Sequence, residues 1–551
     1  MSDPLAIAEL SRRSLQDTAD RTRQSMLGQF FTPPVTARLM SHLSTLSRDS
    51  LSFLDAGAGA GALTAAWVTE ICSRTRRPKQ IFLTAVELDE RFLPQLKRTL
   101  RACEKICADV GIHCEWEIKS EDFIEMAVHS LDADLFRTAG RKYDVAVMNP
   151  PYKKLRSDSN GRSLLRRLGI ETSNLYAAFV SLALHLLKDE GELIAITPRS
   201  FCNGPYFRSF RQQLIRQTCL THFHLFDSRD QTFRDDKVLQ ENLIFRVLKG
   251  VGQQSRILIR QSRTPDDPKT IQKKVAFNQV LKKGDPQCFF HLVPDDNGHA
   301  VARIVESLPC RLSELGLTVS TGRVVDFRAT KWLRMSPDHD CVPLIYPAHF
   351  ENGSVVWPKP YMKKPNAILL TTESSSLMVP SGAYTLVRRF SAKEERRRVV
   401  AAVFDPQSPS FRFVGFENHL NYFHHDGKPL QPALARGLSI FLNSTLIDSY
   451  FRQFNGHTQV NAEDLRALRY PSDSVLIALG RRVGSVLPAQ GALDSLVEET
   501  IGHNESKHTG STDSGSPRGI GGFRTAKRTA KRAGRPHATR APGSPASKTL
   551  G

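Results

Sequence analysis

FLDAGAGAGA, residues Phe53–Ala62, runs from a strand-like apolar segment through an acidic residue into alternating glycines, and the helical sequence LTAAWVTEI follows directly. Glycine lets the backbone turn tightly and approach a ligand, and the start of a helix offers free N–H groups and a favourable dipole to an anion. Gly57, Gly59 and Gly61 therefore predict a loop that holds a cofactor with a carboxylate or a phosphate. The alternative is a plain turn between a strand and a helix.

Two acidic residues complete the pattern of a nucleotide-like cofactor site. Asp55 ends the first strand, where it can receive the ammonium group of an amino acid. Glu87 ends the next strand, in LTAVELD, where its carboxylate can bind the two hydroxyls of a ribose. Nicotinamide and flavin enzymes also combine a glycine-rich turn with an acid on the next strand, so this pattern leaves the cofactor open.

A second loop, in DVAVMNPPY (Asp144–Tyr152), follows a buried strand and carries the candidate chemistry. Pro150 and Pro151 restrict the backbone, so they hold the Asn149 amide oxygen and neighbouring carbonyls in place. Such acceptors suit adenine N6, whose lone pair is delocalised into the ring, because they draw the nitrogen toward tetrahedral geometry as a methyl group arrives. Tyr152 offers a face on which a flipped base can stack. The alternative is a structural Pro-Pro turn.

The order of apolar runs predicts an α/β fold. Strand-type runs alternate with helical stretches up to about residue 249, as in a parallel sheet covered by helices. The predicted strands are Ser52–Asp55, Ile81–Glu87, Cys114–Lys119, Tyr143–Met148, Glu192–Thr197, Leu220–Phe226 and Asn242–Leu248. We therefore predict a Rossmann-like catalytic domain followed by a C-terminal mixed α+β domain. The predicted segments are a helical N-terminal extension (1–23), the catalytic domain (24–250), a linker (251–285), the second domain (286–500) and a disordered basic tail (501–551).

Composition indicates the kind of partner and the compartment. A net charge of +20 over 551 residues favours nucleic acid or an anionic membrane surface. Part of this charge lies in residues 505–551, which hold ten Lys or Arg against two acidic residues. Nine scattered cysteines without a CxxC pair indicate reduced thiols in a cytoplasmic protein. Since no signal-peptide pattern and no apolar run of about 18 residues is present, we expect no membrane anchor.

Histidines occur in two close pairs, which bear on a possible metal site. The pairs are His222 with His224, on a predicted strand, and His424 with His425, in a polar loop. Neither pair has carboxylate or cysteine companions at zinc-ligand spacing. We therefore predict no metal site.

The motifs and their order resemble the N6-adenine DNA methyltransferases of type II restriction–modification systems with the gamma motif order. In that family the cofactor motifs precede the catalytic loop, and target recognition is C-terminal. The segments TPRSFCNGPYFRSFR, VLQENLIF and VPLIYPAHF look most like the PstI/BsuBI-type enzymes. The resemblance covers residues 24–250 strongly and residues 310–470 more loosely.

The resemblance names S-adenosylmethionine (SAM) as the cofactor and assigns the site residues motif by motif. QFFTPP at 29–34 looks like the family's N-terminal cofactor motif, and NPPY like its catalytic loop. The cofactor residues so implied are Phe31, Thr32, Pro33, Asp55, Gly57, Gly59, Gly61, Glu87, Asp122, Phe123 and Phe179. The catalytic residues so implied are Asn149, Pro150, Pro151 and Tyr152. Tyr152 and Phe245 are implied as the aromatic rings that enclose the target base, although a core phenylalanine is an equal alternative for Phe245.

The same resemblance implies duplex DNA with a flipped adenine as the substrate. It also implies a monomer and a cognate restriction endonuclease that acts separately. Three alternatives remain open at this point. NPPY-like loops also occur in enzymes that methylate RNA adenine or a protein glutamine amide, and a non-catalytic DNA-binding subunit can retain the fold. A fused restriction endonuclease is the third, although little sequence lies outside the two domains.

Two polar segments of the C-terminal half are candidates for DNA contact. The basic run from Arg388 to Arg398 is either a solvated face or a phosphate-binding surface. Phe451–Asn461, FRQFNGHTQVN, follows a predicted helix with several groups able to contact DNA. It resembles the end of the family's recognition domain, so a role in closing that domain competes with base readout.

Overall fold

A computed structural model describes residues 3–18, 31–135, 141–226, 241–391, 395–406, 411–456, 458–484 and 486–508. Met1–Asn504 form one compact unit and Glu505–Gly551 a second. A helix runs as far as His508, inside the predicted tail 501–551, and the rest of that tail lies outside the described residues.

A nine-stranded sheet organises the N-terminal half. Its strands are β1 (Ser50–Ala56), β2 (Gln80–Val86), β3 (His113–Lys119), β4 (Tyr143–Met148), β5 (Leu187–Pro198), β6 (Thr218–Phe226), β7 (Asn242–Lys249), β8 (Arg256–Ser262) and β9 (Ile271–Ala276). Their spatial order is β3-β2-β1-β4-β5-β7-β6-β8-β9. β1 to β5 are parallel, and β7 runs antiparallel between β5 and β6. Each of the seven predicted strands is present, and the predicted α/β class is confirmed.

Helices cover both faces of this sheet. They are α1 (Pro4–Thr18), α2 (Pro34–Ser41), α3 (Ala62–Ser73), α4 (Leu93–Asp109), α5 (Phe123–Leu135), α6 (Asn160–Arg167), α7 (Leu175–Leu186) and α8 (Arg208–Gln217). α5 and α7 pack on one face, and α1 to α4 pack on the other. All six residues of β4 are buried, as expected for a central parallel strand with helices on both sides. α1 lies within the predicted N-terminal extension and buries Leu5 and Ala8.

The predicted linker 251–285 is wrong, because β8 and β9 extend the catalytic sheet through most of it. β8 pairs parallel with β6, and β9 pairs antiparallel with β8. Ile257 and Ile259 are fully buried, whereas Arg256 is exposed and Arg260 is half-buried. Strands near a sheet edge bury few side chains, so this segment has the polar composition that suggested a linker.

The C-terminal half is mixed α+β, as predicted. Its strands are β10 (Cys310–Arg311), β11 (Thr318–Thr321), β12 (Leu333–Arg334), β13 (Cys341–Ile345), β14 (Phe350–Glu351), β15 (Ser354–Val355), β16 (Ala367–Leu369), β17 (Met378–Pro380), β18 (Tyr384–Arg388), β19 (Ala401–Phe404), β20 (Phe413–Phe416), β21 (Leu420–His424) and β22 (Arg469–Tyr470). They form a six-stranded sheet (β11-β21-β18-β19-β15-β14), a five-stranded sheet (β12-β16-β13-β20-β17) and the pair β10-β22.

The remaining described helices follow β9 along the chain. They are α9 (Phe277–Val280), α10 (Asp296–Ser307), α11 (Asp326–Ala329), α12 (Pro432–Leu442), α13 (Thr445–Phe454), α14 (Ala462–Arg466), α15 (Asp473–Arg481) and α16 (Gln490–His508). Apolar residues of α10, α12, α13, α15 and α16 form a core together with β11, β18 and β21. This core holds α13 and the segment that follows it in a fixed position beside the catalytic half.

Candidate active site

The predicted motifs meet at the carboxyl ends of the central parallel strands. The glycine loop follows β1, Glu87 follows β2 and Asn149 follows β4. β1 lies between β2 and β4, so the chain connections leave β1 and β4 in opposite directions and a crevice opens there. A cavity of about 370 Å³ occupies this crevice, and we call it the cofactor cavity. Its walls include Phe31, Gly57, Gly59, Glu87, Asp122, Phe123, Asn149, Pro151 and Phe179.

The glycine loop has the backbone that its sequence predicts. Gly57, Gly59 and Gly61 have φ angles of 79°, 55° and 84°, in the left-handed region that favours glycine. Gly61 has a second, steric reason to be glycine, because a Cβ there would lie 3.0 Å from a methyl carbon of Leu96. Gly57 and Gly59 face the cofactor cavity, whereas Gly61 supports the turn into α3.

Glu87 is buried at the cavity wall and also braces the glycine loop. One carboxylate oxygen accepts a hydrogen bond from the backbone N–H of Gly59 (2.8 Å), and the other from that of Asp89 (2.7 Å). Burial raises the pKa of the Glu87 carboxyl above its ordinary value, and the two N–H donors oppose that shift. The carboxylate therefore has a fixed position in the buried wall of the cavity, where it can accept hydrogen bonds from a ligand.

Asp55 lies beneath the loop and is not brought to the cavity wall. Its Oδ2 accepts hydrogen bonds from the hydroxyl (2.7 Å) and the backbone N–H (3.3 Å) of Thr64, and the residue is fully buried. Burial raises the pKa of Asp55 to about 7. Oδ1 is buried and makes no hydrogen bond with the described residues. Asp55 therefore supports the start of α3, and a contact with a ligand ammonium group stays a prediction.

Three phenylalanines give the cavity its apolar surface. The rings of Phe123 and Phe179 lie 4.8 Å apart between centroids, and the Phe31 ring contacts Phe92 at 5.3 Å. Asp122 precedes α5, and its Oδ1 accepts a hydrogen bond from the backbone N–H of Ile124 (2.7 Å). This arrangement offers an apolar pocket with a carboxylate at its wall, which suits an adenine ring.

Asn149 is oriented by a residue that is distant in sequence. Its Nδ2 donates a hydrogen bond to Oγ1 of Thr32 (3.1 Å), and both side chains are buried. Thr32 lines a smaller space of about 40 Å³ that shares Asn149 with the cofactor cavity. Pro33 precedes α2 in an extended conformation, and Pro150 is buried behind Pro151. The predicted N-terminal motif and the catalytic loop are thus brought together.

Tyr152 faces a different space, between the two halves of the chain. This space, which we call the target cleft, has a volume of about 610 Å³. The hydroxyl of Tyr152 donates to the carbonyl of Ile196 at 3.4 Å, and its ring meets the ring of Tyr176 edge-on at 6.2 Å. Burial raises the pKa of Tyr152 above its ordinary value. The NPPY loop therefore separates the two spaces and contributes side chains to both.

Phe245 does not reach either space. It lies in the middle of β7, is fully buried, and packs against Phe201 (5.6 Å) and Phe223 (6.3 Å). The prediction that Phe245 stacks on the target base is wrong, and the alternative, a core phenylalanine, is correct. The reason is its position on the strand, because the side chain points into the core on the face of the sheet that α5 and α7 cover.

Two buried polar residues after β5 hold the C-terminal half, and sequence reasoning did not find them. Arg199 Nη2 donates a hydrogen bond to the carbonyl of Gln453 (2.6 Å). Asn203 Nδ2 donates to Oδ1 of Asp464 (2.9 Å), and its Oδ1 accepts from the backbone N–H of Gly456 (3.1 Å). Burial raises the pKa of Asp464 to about 6. We call these contacts the interdomain clasp.

Two further features of the described ranges concern metal ions and membranes. No group of three or more His, Cys, Asp or Glu side chains there is arranged to hold a metal ion. No helix there combines the length and the apolar character needed to cross a membrane.

The glycine loop, the acid after β2 and NPPY after β4 together form the site of a methyltransferase, and similarity to known proteins identifies the kind. The Eco57I restriction-modification methylase family matches residues 69–233. The chain is 42% identical over 490 residues to Type II methyltransferase M.PstI of Providencia stuartii, which covers 89% of this chain and 96% of the relative. It is 42% identical over 506 residues to Type II methyltransferase M.BsuBI of Bacillus subtilis, covering 88% and 98%. The chain therefore belongs to the type II methyltransferase family, and the resemblance stated from the sequence is confirmed.

Proposed function

We propose that this enzyme transfers a methyl group from SAM to N6 of an adenine in duplex DNA, as the modification component of a restriction–modification system. The observation that carries the proposal is the position of the NPPY loop. Asn149 lines the cofactor cavity, and Tyr152 lines the target cleft. Lys153 and Lys154 line both spaces, so the two adjoin, and a base stacked on Tyr152 would lie next to the cofactor cavity.

The residues of the cofactor cavity fit SAM. The phenylalanine rings would contact the adenine ring, Glu87 would accept hydrogen bonds from the ribose hydroxyls, and the glycine loop would leave room for the amino-acid part. A Cβ on Gly57 or Gly59 would lie 3.8 Å from the ring of Phe179 or Phe31 and would take up space along the cavity wall. SAM supplies an activated methyl group.

The chain contributes orientation and hydrogen-bond acceptors. Thr32 fixes the Asn149 amide, so that the amide oxygen can accept a hydrogen bond from the target N6. The Pro150 carbonyl is the natural second acceptor, because the two prolines fix its direction. Two acceptors on the amine disperse the positive charge that develops during in-line displacement. Positioning thus replaces a strong base.

The wider biological role is part of the same proposal. We expect a monomer that modifies DNA independently of a separate cognate endonuclease. The relatives M.PstI and M.BsuBI are both named type II methyltransferases, which supports this role. Light scattering of the purified protein with and without a duplex tests the monomer, since a dimer would double the measured mass.

The test of the activity uses methyl-labelled SAM, unmethylated genomic DNA and sequencing that reports N6-methyladenine. We expect label in DNA and a single methylated sequence, with no label in RNA or in protein. Asn149→Ala should reduce turnover by at least about a thousandfold while SAM affinity changes little, because the amide acts on the target nitrogen. Label in RNA or protein, or on a cytosine, would contradict the proposal.

A further inference from the structure

The wall of the target cleft that faces the NPPY loop belongs to the C-terminal half. Arg389, Thr458, Gln459, Asn461 and Glu463 line it. The backbone on both sides of Gln459 pairs with the strand-like segment after β18. Val460 N–H donates to the Arg389 carbonyl (2.7 Å), and Ser391 N–H donates to the Thr458 carbonyl (2.9 Å).

The interdomain clasp fixes this wall relative to Tyr152. Asp464, which receives the hydrogen bond of Asn203, also accepts from the backbone N–H of Asn461 (2.9 Å) and from Nδ2 of Asn455 (3.2 Å). Asn455 Nδ2 in turn donates to the carbonyl of Gln459 (3.0 Å). A chain of hydrogen bonds through Asn455 and Asp464 therefore links the position of Gln459 to Asn203 of the catalytic half.

The side chain of Gln459 faces the cleft and is half-buried. Among the described residues, none makes a hydrogen bond with its amide group. A side-chain amide offers two N–H donors and a carbonyl acceptor. These groups remain available to a ligand in the cleft.

The charges around the cleft indicate which part of DNA meets Gln459. Lys153 and Lys154 are exposed on the NPPY side, where they attract phosphates. The wall around Gln459 carries the opposite charges of Arg389 and Glu463, and Glu241 nearby is paired with Arg199 (3.4 Å). Since these charges are balanced and the amide of Gln459 is neutral, this part of the wall is better suited to a base edge than to a phosphate.

We propose that Gln459 contacts the base that is left unpaired when the target adenine leaves the duplex. This inference rests on the proposed function. The pairing edge of thymine has an N–H donor beside carbonyl acceptors, which matches the acceptor and donors of the amide. The contact offsets part of the cost of extruding the adenine, and Gln459 is thus a positioning residue.

The experiment compares Gln459→Ala with the wild-type enzyme on two duplexes, one fully paired and one with an abasic site opposite the target adenine. We expect kcat/KM on the paired duplex to fall about tenfold, the effect of losing one well-placed hydrogen-bonding group. On the abasic duplex the two enzymes should agree within about twofold, because no unpaired base is left to contact. With 2-aminopurine at the target position, the variant should show a smaller fluorescence rise on binding.

Two further variants complete the experiment. Gln459→Met keeps the side-chain length without the hydrogen bonds and should behave like Gln459→Ala, which excludes a packing effect. Gln272→Ala removes an exposed glutamine on β9 and should match the wild type. Thermal melting of each variant establishes that it folds.

Several outcomes would overturn the proposal. An equal loss on both duplexes would mean a phosphate contact or a structural role, and an altered methylated sequence would mean readout of a flanking base pair. Unchanged kinetics would mean no contact. If the wild-type enzyme methylates neither duplex, the proposed function itself fails, and this result is distinct from the others.

Discussion

The cofactor cavity and the target cleft are built in different ways. The cofactor cavity of about 370 Å³ is framed by the ends of three neighbouring strands of one sheet, so local motifs specify most of it. The target cleft of about 610 Å³ needs both halves of the chain, and the clasp residues Asn203 and Asp464 are 261 positions apart. Cofactor binding should therefore resist changes at the interface, whereas DNA binding should not.

The largest expected effect on binding tests whether the cofactor cavity functions independently of the interface. Glu87→Ala should weaken SAM binding about a hundredfold, because hydrogen bonds from the ribose to a buried carboxylate are lost. Calorimetry with SAM measures this, and duplex affinity should be unchanged. Glu90→Ala, an exposed neighbour, is the control. Since Glu87 also accepts from the backbone N–H groups of Gly59 and Asp89, thermal melting of Glu87→Ala tests whether the loop is distorted. Unchanged SAM affinity would place the ribose contact elsewhere.

The next effect concerns Tyr152, which belongs to the cleft. Tyr152→Ala should lower kcat/KM about thirtyfold, whereas Tyr152→Phe should retain most activity, because stacking needs the ring and not the hydroxyl. Steady-state methylation of one duplex measures both variants, and SAM affinity should stay constant. A Phe variant as inactive as the Ala variant would refute the stacking role.

A smaller effect should follow from breaking the clasp. Asn203→Ala should raise KM for DNA about fivefold with little change in kcat or in SAM affinity, because one buried hydrogen-bonding side chain is lost at the interface. Asn160→Ala, in which an exposed amide that contacts Glu125 is removed, is the matched control. Equal losses in SAM and DNA binding would show that the two spaces are not independent.

The smallest effect is a pH dependence of Asp55. Since its pKa in the folded protein is raised to about 7, the group stabilises the fold at low pH and this contribution is lost as the pH rises toward 7. As the pH rises from about 4 to about 7, the melting temperature should therefore fall less in Asp55→Asn than in the wild-type enzyme. If the SAM ammonium contacts Asp55, binding at pH 7 should release less than one proton, detectable by calorimetry in two buffers. Absence of release would exclude that contact.

Sequence could predict those features that are local. The apolar run of β1, the glycines after it and the prolines after β4 determine the backbone of the residues next to them. The strands and the cofactor cavity could therefore be predicted from these segments alone. Phe31, Phe123 and Phe179 came from the resemblance, and all three line the cavity.

The remaining features depend on partners far along the chain. Thr32 and Asn149 lie 117 positions apart, and nothing in either motif indicates their hydrogen bond. Arg199 and Asn203 are ordinary polar residues until the C-terminal half packs over them. Phe245 could be assigned wrongly because a one-residue shift along a strand reverses the face of the sheet.

β8 and β9 bear on how new specificities can be engineered. A chimera joined near residue 250 would remove the strand that pairs with β6, and a junction at 285 would still leave Arg199 and Asn203 against a foreign loop. A transplanted C-terminal half should therefore retain the residues equivalent to Gly456 and Asp464, or arrive with its own loop from 199 to 211. The buried contacts therefore define which part of the chain can be exchanged. The crossover point should lie after β9, and the residues on both sides of the interface should be transferred together.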